Sequence, residues 1–287
     1  MIQDKIVSLK NKRIKFHIER FESSMELAKA NRERTKTSSR FYDIEGGDWQ
    51  GCVSMEEALD LLTHGYQGAV DQMKEVYKPS NTAVAKRIKF ENSVAGFAPV
   101  VPLALMGVPN SMINMRQVPM KQKVLDLYVD MTAASYREAA EFIKAGKEIM
   151  SAIVALEKQG YRLNLYSCQT YYESRGGSGN ADMLVMKVKS ASQPLDLKRC
   201  SFSVAHPAFF RMIGFDWYSK VPGGRFRDGY GRPPYYEYRD EGFKQIGTQL
   251  FGKNAILLSY AAIMDENDMG KEASNYIKEA CCNEKGR

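Results

Sequence analysis

Residues 124–167, VLDLYVDMTAASYREAAEFIKAGKEIMSAIVALEKQGYRLNLYS, read as strand, polar turn, long helix, glycine stop and strand. Val124, Leu125, Leu127, Tyr128 and Val129 form a nearly continuous apolar run, the pattern of a strand buried on both faces. Asp130 ends the run. From Tyr136 to Gln159 apolar residues recur at helical spacing: Ala139, Phe142, Ile143, Ile149, Ile153, Val154 and Leu156. Gly160 closes the helix, and Tyr161 to Tyr166 begins the next strand. A crossover of that length joins parallel strands, and it leaves a polar loop at the carboxyl end of a strand, where such sheets place their sites.

Working outward, the chain alternates strands and helices through most of residues 85–282. The expected fold is α/β: a mostly parallel central sheet flanked by helices, with an N-terminal α+β extension. Three regions follow: 1–50 as the extension, 51–122 as a helical and loop region packed on the core, and 123–287 as the α/β core. In the extension, Lys12 to Phe21 alternates like a strand, and Ser23 to Arg34 suits a short helix with Ser24 as its cap. Ser54 followed by Glu57 is a capping box opening a helical segment that Gly65 interrupts. Arg87 to Val94 reads as a strand, followed by glycine and proline punctuation that argues against long regular structure. Met106, Met112, Met115 and Met120 cluster there, either as adaptable packing or as a partner surface. Glu173 to Asp182, ESRGGSGNAD, reads as a loop, Ala255 to Ile263 as a buried strand, and Met269 to Cys282 as a closing helix.

At 287 residues and 44% apolar content the chain can bury a real core. Its 41 basic and 34 acidic residues leave a net charge of +7, which admits an acidic or nucleic-acid partner and is equally ordinary for a soluble protein. No stretch approaches the about 20 apolar residues of a membrane span, and MIQDKIVSLKNKRIKF has no signal-peptide core, so a cytoplasmic protein with no membrane contact is expected. Cys52, Cys168, Cys200, Cys281 and Cys282 include no CxxC pair and read as reduced thiols.

Three constellations could carry chemistry. Asp130, Thr132 and Ser135 stand at the strand end, where oxygen ligands can hold a hard divalent cation such as Mg2+; alternatively, Thr132 caps the following helix. His206 with Arg211 in AHPAFFRMIGF is a general base or a ligand or, in the plainer reading, a packed or capping histidine. The loop 221–241 interleaves Arg225, Arg227 and Arg232 with Tyr230, Tyr235 and Tyr236, a composition that suits single-stranded nucleic acid, a protein interface, or a surface loop with no partner. No G-x-S-x-G, HExxH or kinase set occurs, and the Gly176–Gly179 stretch lacks the lysine of a phosphate-binding loop. A non-enzymatic role is therefore expected, with a metal-dependent hydrolase as the outlying alternative.

Asp130 and Thr132 resemble the first two positions of the metal-ion-dependent adhesion site of von Willebrand factor A-like domains, D-x-S-x-S. Ala134 holds the third position, and Ser135 comes one residue late. The motifs SMEEALDLLTHGYQGAV (54–70), GFAPVVPLALMGVPNSM (96–112) and PLDLKRCSFSVAHPAFFRMIGF (194–215) are similar to an uncharacterised family of bacteriophages and mobile elements. That resemblance implies a degenerate von Willebrand factor A-like core in the host cell cytoplasm. It also implies an interaction or scaffold protein, with an AAA+ ATPase or a host defence complex as the class of partner. A nucleic-acid-binding accessory protein using loop 221–241 is the alternative.

Overall fold

The structure is a computed structural model. It describes residues 2–9, 12–36, 45–73, 86–119, 123–158, 160–175, 178–221, 241–253 and 255–260. Strand β6 (Val124–Asp130), helix α5 (Ala139–Lys158) and strand β7 (Arg162–Arg175) form the expected unit, with β6 and β7 parallel from Val124↔Arg162 to Asp130↔Cys168. Gly160 adopts φ 90°, which ends α5 and turns the chain into β7. The helix starts three residues later than its apolar periodicity suggests. Arg137 N–H turns back onto Ala134 O, and the Glu141 carboxylate accepts from Glu138 N–H just ahead of the first helical turn.

Around this unit the chain adds β1 (Ile2–Leu9), β2 (Lys12–Phe21), α1 (Ser24–Glu33), α2 (Met55–His64), α3 (Gln67–Met73), β3 (Lys86–Ser93), β4 (Ala98–Pro99), α4 (Val101–Leu105) and β5 (Met112–Pro119) before it. After it come β8 (Ser178–Lys189), α6 (Leu197–Ala205), a π-helix (Phe209–Gly214), α7 (Phe215–Lys220), α8 (Glu241–Phe251) and β9 (Ala255–Ser259). Ser23 rather than Ser24 caps α1, accepting from Glu26 N–H. At α2, Ser54 Oγ accepts from Glu57 N–H, and Glu57 returns a carboxylate to Val53 N–H. The expected helix 269–282 lies outside the described residues.

The main sheet has the order β1-β2-β8-β7-β6-β9 and is mixed, not mostly parallel. β1–β2 and β7–β8 pair antiparallel, while β2–β8, β7–β6 and β6–β9 pair parallel. The difference comes from residues 173–175 and 178–182, which continue the antiparallel pairing of β7 with β8: Glu173↔Asn180, Ser174↔Gly179 and Arg175↔Ser178 are in register. The glycine of β8 has a packing cause. A Cβ on Gly179 would stand 2.5 Å from the ring of Tyr172, so a larger residue there would require that ring to move. The N-terminal residues continue this sheet, because β2 pairs along its length with β8 and β1 forms the outer edge.

Strand alternation sends side chains to two cores. Leu125, Leu127, Val129, Leu163, Leu165, Leu184 and Met186 face α1, α2, α5, α6 and the π-helix. Ile14, Phe16, Ile18, Tyr128, Cys168, Met183, Val185 and Leu257 face Ile246 and Leu250 of α8. On that side Tyr128 is sandwiched between Tyr166 at 4.4 Å and Phe251 at 3.7 Å. Strands β3, β5 and β4 form a separate three-stranded sheet that joins neither core.

Helices α5 and α6 meet at Gly146, where an added Cβ would lie 2.1 Å from Ala205 Cβ. Alanine ordinarily gains about 1 kcal/mol over glycine inside a helix, but here the overlap costs more. Gly146→Ala should lower stability by about 1–3 kcal/mol in urea unfolding; a stabilised variant would show that the two helices are not in close contact.

Candidate functional site

The end of β6 carries two fully buried polar side chains, Asp130 and Thr132. Asp130 Oδ1 accepts from Thr132 N–H at 3.0 Å, and Oδ2 accepts from the hydroxyl of Thr170 on β7 at 2.6 Å. Thr132 Oγ1 in turn accepts from Thr170 N–H at 2.8 Å. A buried carboxylate requires such donors, because desolvation without them costs several kcal/mol. Thr132 therefore ties the turn to β7 and does not cap α5. Ser135 is exposed, and its backbone carbonyl accepts from the Trp49 indole at 2.8 Å. The structure thus joins Asp130 and Thr132, adds Thr170, and holds Ser135 through its backbone. Among the described residues no three His, Cys, Asp or Glu side chains gather as a metal-binding group.

Next to this turn lies Arg211 of the π-helix, fully buried. Its guanidinium lies 3.9 Å from the Trp49 ring centroid and 4.7 Å from that of Phe142. Nη1–H donates to Trp49 O at 2.5 Å and Nη2–H to Arg137 O. Among the described residues Nε has no hydrogen-bond partner. Burial lowers this group to about 10, opposed by the charges of Glu138 and Glu141, so it remains a cation at neutral pH. One buried cation therefore links the Trp49 turn, the β6–α5 loop and the π-helix.

The widened π-helix leaves carbonyls for side chains to satisfy. Gln169 of β7 donates its amide to Phe209 O at 2.5 Å and accepts from Tyr171 O–H at 3.0 Å; Asn31 of α1 donates to Ile213 O at 3.1 Å. His206 is the C-cap of α6, and its Nδ1 accepts from Ala208 N–H at 3.3 Å. Its ring stacks near Phe202 and meets Tyr66 edge-on at 4.6 Å. Burial pushes its pKa down to about 4. It is a packed, neutral capping histidine. Burial likewise pushes the thiols of Cys52 and Cys200 up to about 12, so they are protonated.

The other candidate lies in the separate sheet. No residue from 88 to 118 is buried. Ile88 (59% exposed), Phe90 (61%), Phe97 (60%), Leu105 (84%) and Met115 (52%) stand open to solvent. A small sheet gains stability when an apolar face is covered, and here these apolar side chains are open. The residues Arg225, Arg227, Tyr230, Arg232, Tyr235 and Tyr236 lie outside the described residues. Among the described residues no helix is long and apolar enough to cross a membrane.

A mixed α/β sheet closed by a buried carboxylate clamp, with an uncovered β-module beside it, defines the class. The chain belongs to a family described as a domain of unknown function (DUF7192), which matches residues 7–280. No curated protein and no solved structure matches it.

Two measurements test the buried polar groups. Asp130→Asn places an amide donor against Thr132 N–H or Thr170 O–H and should cost about 1–3 kcal/mol. Added Mg2+ should leave the wild-type Tm within about 1 °C; a rise of several degrees that Asp130→Asn abolishes would instead mark a cation site. His206 gives a pH dependence. The unfolded imidazole binds a proton below its ordinary 6.5, the folded one only below about 4. Its contribution is full above pH 6.5 and should fall by about 3 kcal/mol as pH drops towards 4. His206→Gln should flatten that part of the stability profile measured by urea unfolding.

Proposed function

We propose that this chain is a non-enzymatic interaction protein that grips a protein partner through the exposed apolar face of the β3–β5–β4 sheet. The observation that carries the reading is a folded module of residues 88–118 in which large apolar side chains are open and none is buried. The bonding of the strand-end groups fits the same reading. Asp130 and Thr132 serve as a clamp, and His206 as a cap, so each has a structural use.

The sequence resemblances extend the proposal. The β6–α5–β7 unit, with Asp130 and Thr132 at its strand end, is taken as a degenerate von Willebrand factor A-like core of a phage or mobile-element protein. An AAA+ ATPase or a host defence complex is then the class of partner, met in the host cytoplasm. The net charge of +7 keeps a second reading open, a nucleic-acid-binding accessory protein using the arginines of loop 221–241.

A pull-down of tagged full-length protein from infected and uninfected host lysate, with and without nuclease, separates the two. A stoichiometric, nuclease-resistant protein is expected, reduced about tenfold or more by Phe90→Ser/Met115→Ser. Recovery of nucleic acid alone, lost in an Arg225/Arg227/Arg232 alanine variant, would overturn the proposal in favour of the second reading.

A further inference from the structure

The β3–β5–β4 module is divided along its strands. Its charged residues, Lys86, Arg87, Lys89, Glu91 and Arg116, lie at and towards the Lys86↔Pro119 end, by which the chain enters and leaves. From Asn92 to Met115 there is no charge. That stretch reaches the Ser93↔Met112 end of the ladder, runs through β4 and α4, and returns, so it makes the far tip. Within it, residues 94–109, VAGFAPVVPLALMGVP, hold no hydroxyl, amide or charged side chain. Yet Val94, Phe97, Val101, Leu105 and Met106 are each more than half exposed. Val101 and Leu105 stand four residues apart on α4 and share one side of it.

We infer that this tip docks on an anionic lipid surface, resting among the headgroups and upper acyl chains without crossing them. The inference goes beyond the protein-partner reading, which uses the sheet face at Phe90 and Met115. The expectation of no membrane contact rests on the length of a span. Residues 94–109 are too few and too broken by proline to span, but a surface contact needs only an apolar tip and a charged flank.

Composition separates lipid from protein as the occupant. A protein interface makes about one hydrogen bond per 100–200 Å² and favours Tyr, Trp and Arg. The tip has none of these residues and no polar side chain to fix a partner's orientation. Hydrocarbon asks for no such bonds.

It does ask that backbone groups find partners within the protein. Phe97 N–H donates to Ile113 O, and Val100 N–H to Ser111 O. Around α4, Ala104 N–H donates to Val100 O, Met106 N–H to Pro102 O, Gly107 N–H to Ala104 O and Val108 N–H to Leu103 O. Pro99, Pro102 and Pro109 have no N–H to bury.

The charges behind the tip have the sign that this surface requires. Lys86, Arg87, Lys89 and Arg116 stand against a single carboxylate, Glu91, which Arg116 approaches to 3.9 Å. Cations set just behind an inserted tip lie at the level of anionic headgroups.

Flotation of the full chain with vesicles of equal parts phosphatidylcholine and phosphatidylserine tests the inference. Wild type should float with them, and should bind pure phosphatidylcholine about tenfold or more weakly. Leu105→Ser/Met106→Ser should weaken binding to the mixed vesicles at least about tenfold with no change of charge. Lys89→Gln/Arg116→Gln should weaken it severalfold. All four side chains are exposed, and circular dichroism checks that each variant is folded. Leu105→Trp should give an emission that moves to the blue when mixed vesicles are added. Wild type that stays unbound overturns the inference. So does binding that survives Leu105→Ser/Met106→Ser, because the +7 chain then adheres by charge alone. The protein-partner reading is judged apart from this: capture of a lysate protein through Phe90 and Met115, with no vesicle binding, leaves that reading standing while this inference fails.

Discussion

Asp130 ends β6 inside the protein, with one carboxylate oxygen accepting from Thr132 N–H and the other from Thr170 O–H. These bonds do more than satisfy a buried charge. They fix the direction in which the chain leaves β6 and bind that exit to the middle of β7. The loop that follows presents two backbone carbonyls in set positions: Ser135 O to the Trp49 indole and Arg137 O to Arg211. Since Arg211 also holds Trp49 O, the turn at 48–51, the entry to α5 and the π-helix share one support. A carboxylate that loses its donors in a dry interior carries a penalty far larger than the bonds themselves contribute, so the arrangement has little room for partial formation.

The π-helix extends that support to the other elements. Its Phe209 and Ile213 carbonyls are met by Gln169 from the sheet and Asn31 from α1. Glu19 of β2 receives the Trp217 indole and a bidentate contact from Arg34. Polar side chains thus hold the N-terminal elements, the sheet and the 209–220 helices together at sites where apolar packing alone would leave backbone groups without partners.

The central unit was legible because its signals are local and strong: an apolar run, a 3.6-residue period and a glycine stop. The capped start of α2 was legible for the same reason. The antiparallel pairing of β7 and β8 was not, because Gly179 answers to a tyrosine ring on the neighbouring strand and looks like loop composition when read alone. β5 was hidden by the prolines and glycines before it and by its exposure, which removes the burial pattern that marks a strand. At the site, Asp130 and Thr132 could be found from their place at a strand end. Thr170 could be found only through the register, which sets Cys168 beside Asp130 and leaves Thr170 one pleat further on. Arg211 carried a readable sign, a lone cation in the apolar run AHPAFFRMIGF, but its partners at Trp49 and Arg137 are distant in sequence and are set by the fold.

The pairing of β2 with β8 has a consequence for synthesis. Arg13 lies beside Ser178 and Phe21 beside Met186, and the helix that covers Ile14, Phe16 and Ile18 is α8, further along still. The ribosome therefore releases the β1–β2 hairpin long before either its neighbour strand or its cover exists. Through most of translation the hairpin has a bare strand edge and an apolar face, the state that aggregation exploits. Contacts this remote in sequence also slow folding after release, since loop closure precedes any gain from pairing. Strands β1 and β2 are made before β8 and α8, and they reach their place only once both have followed.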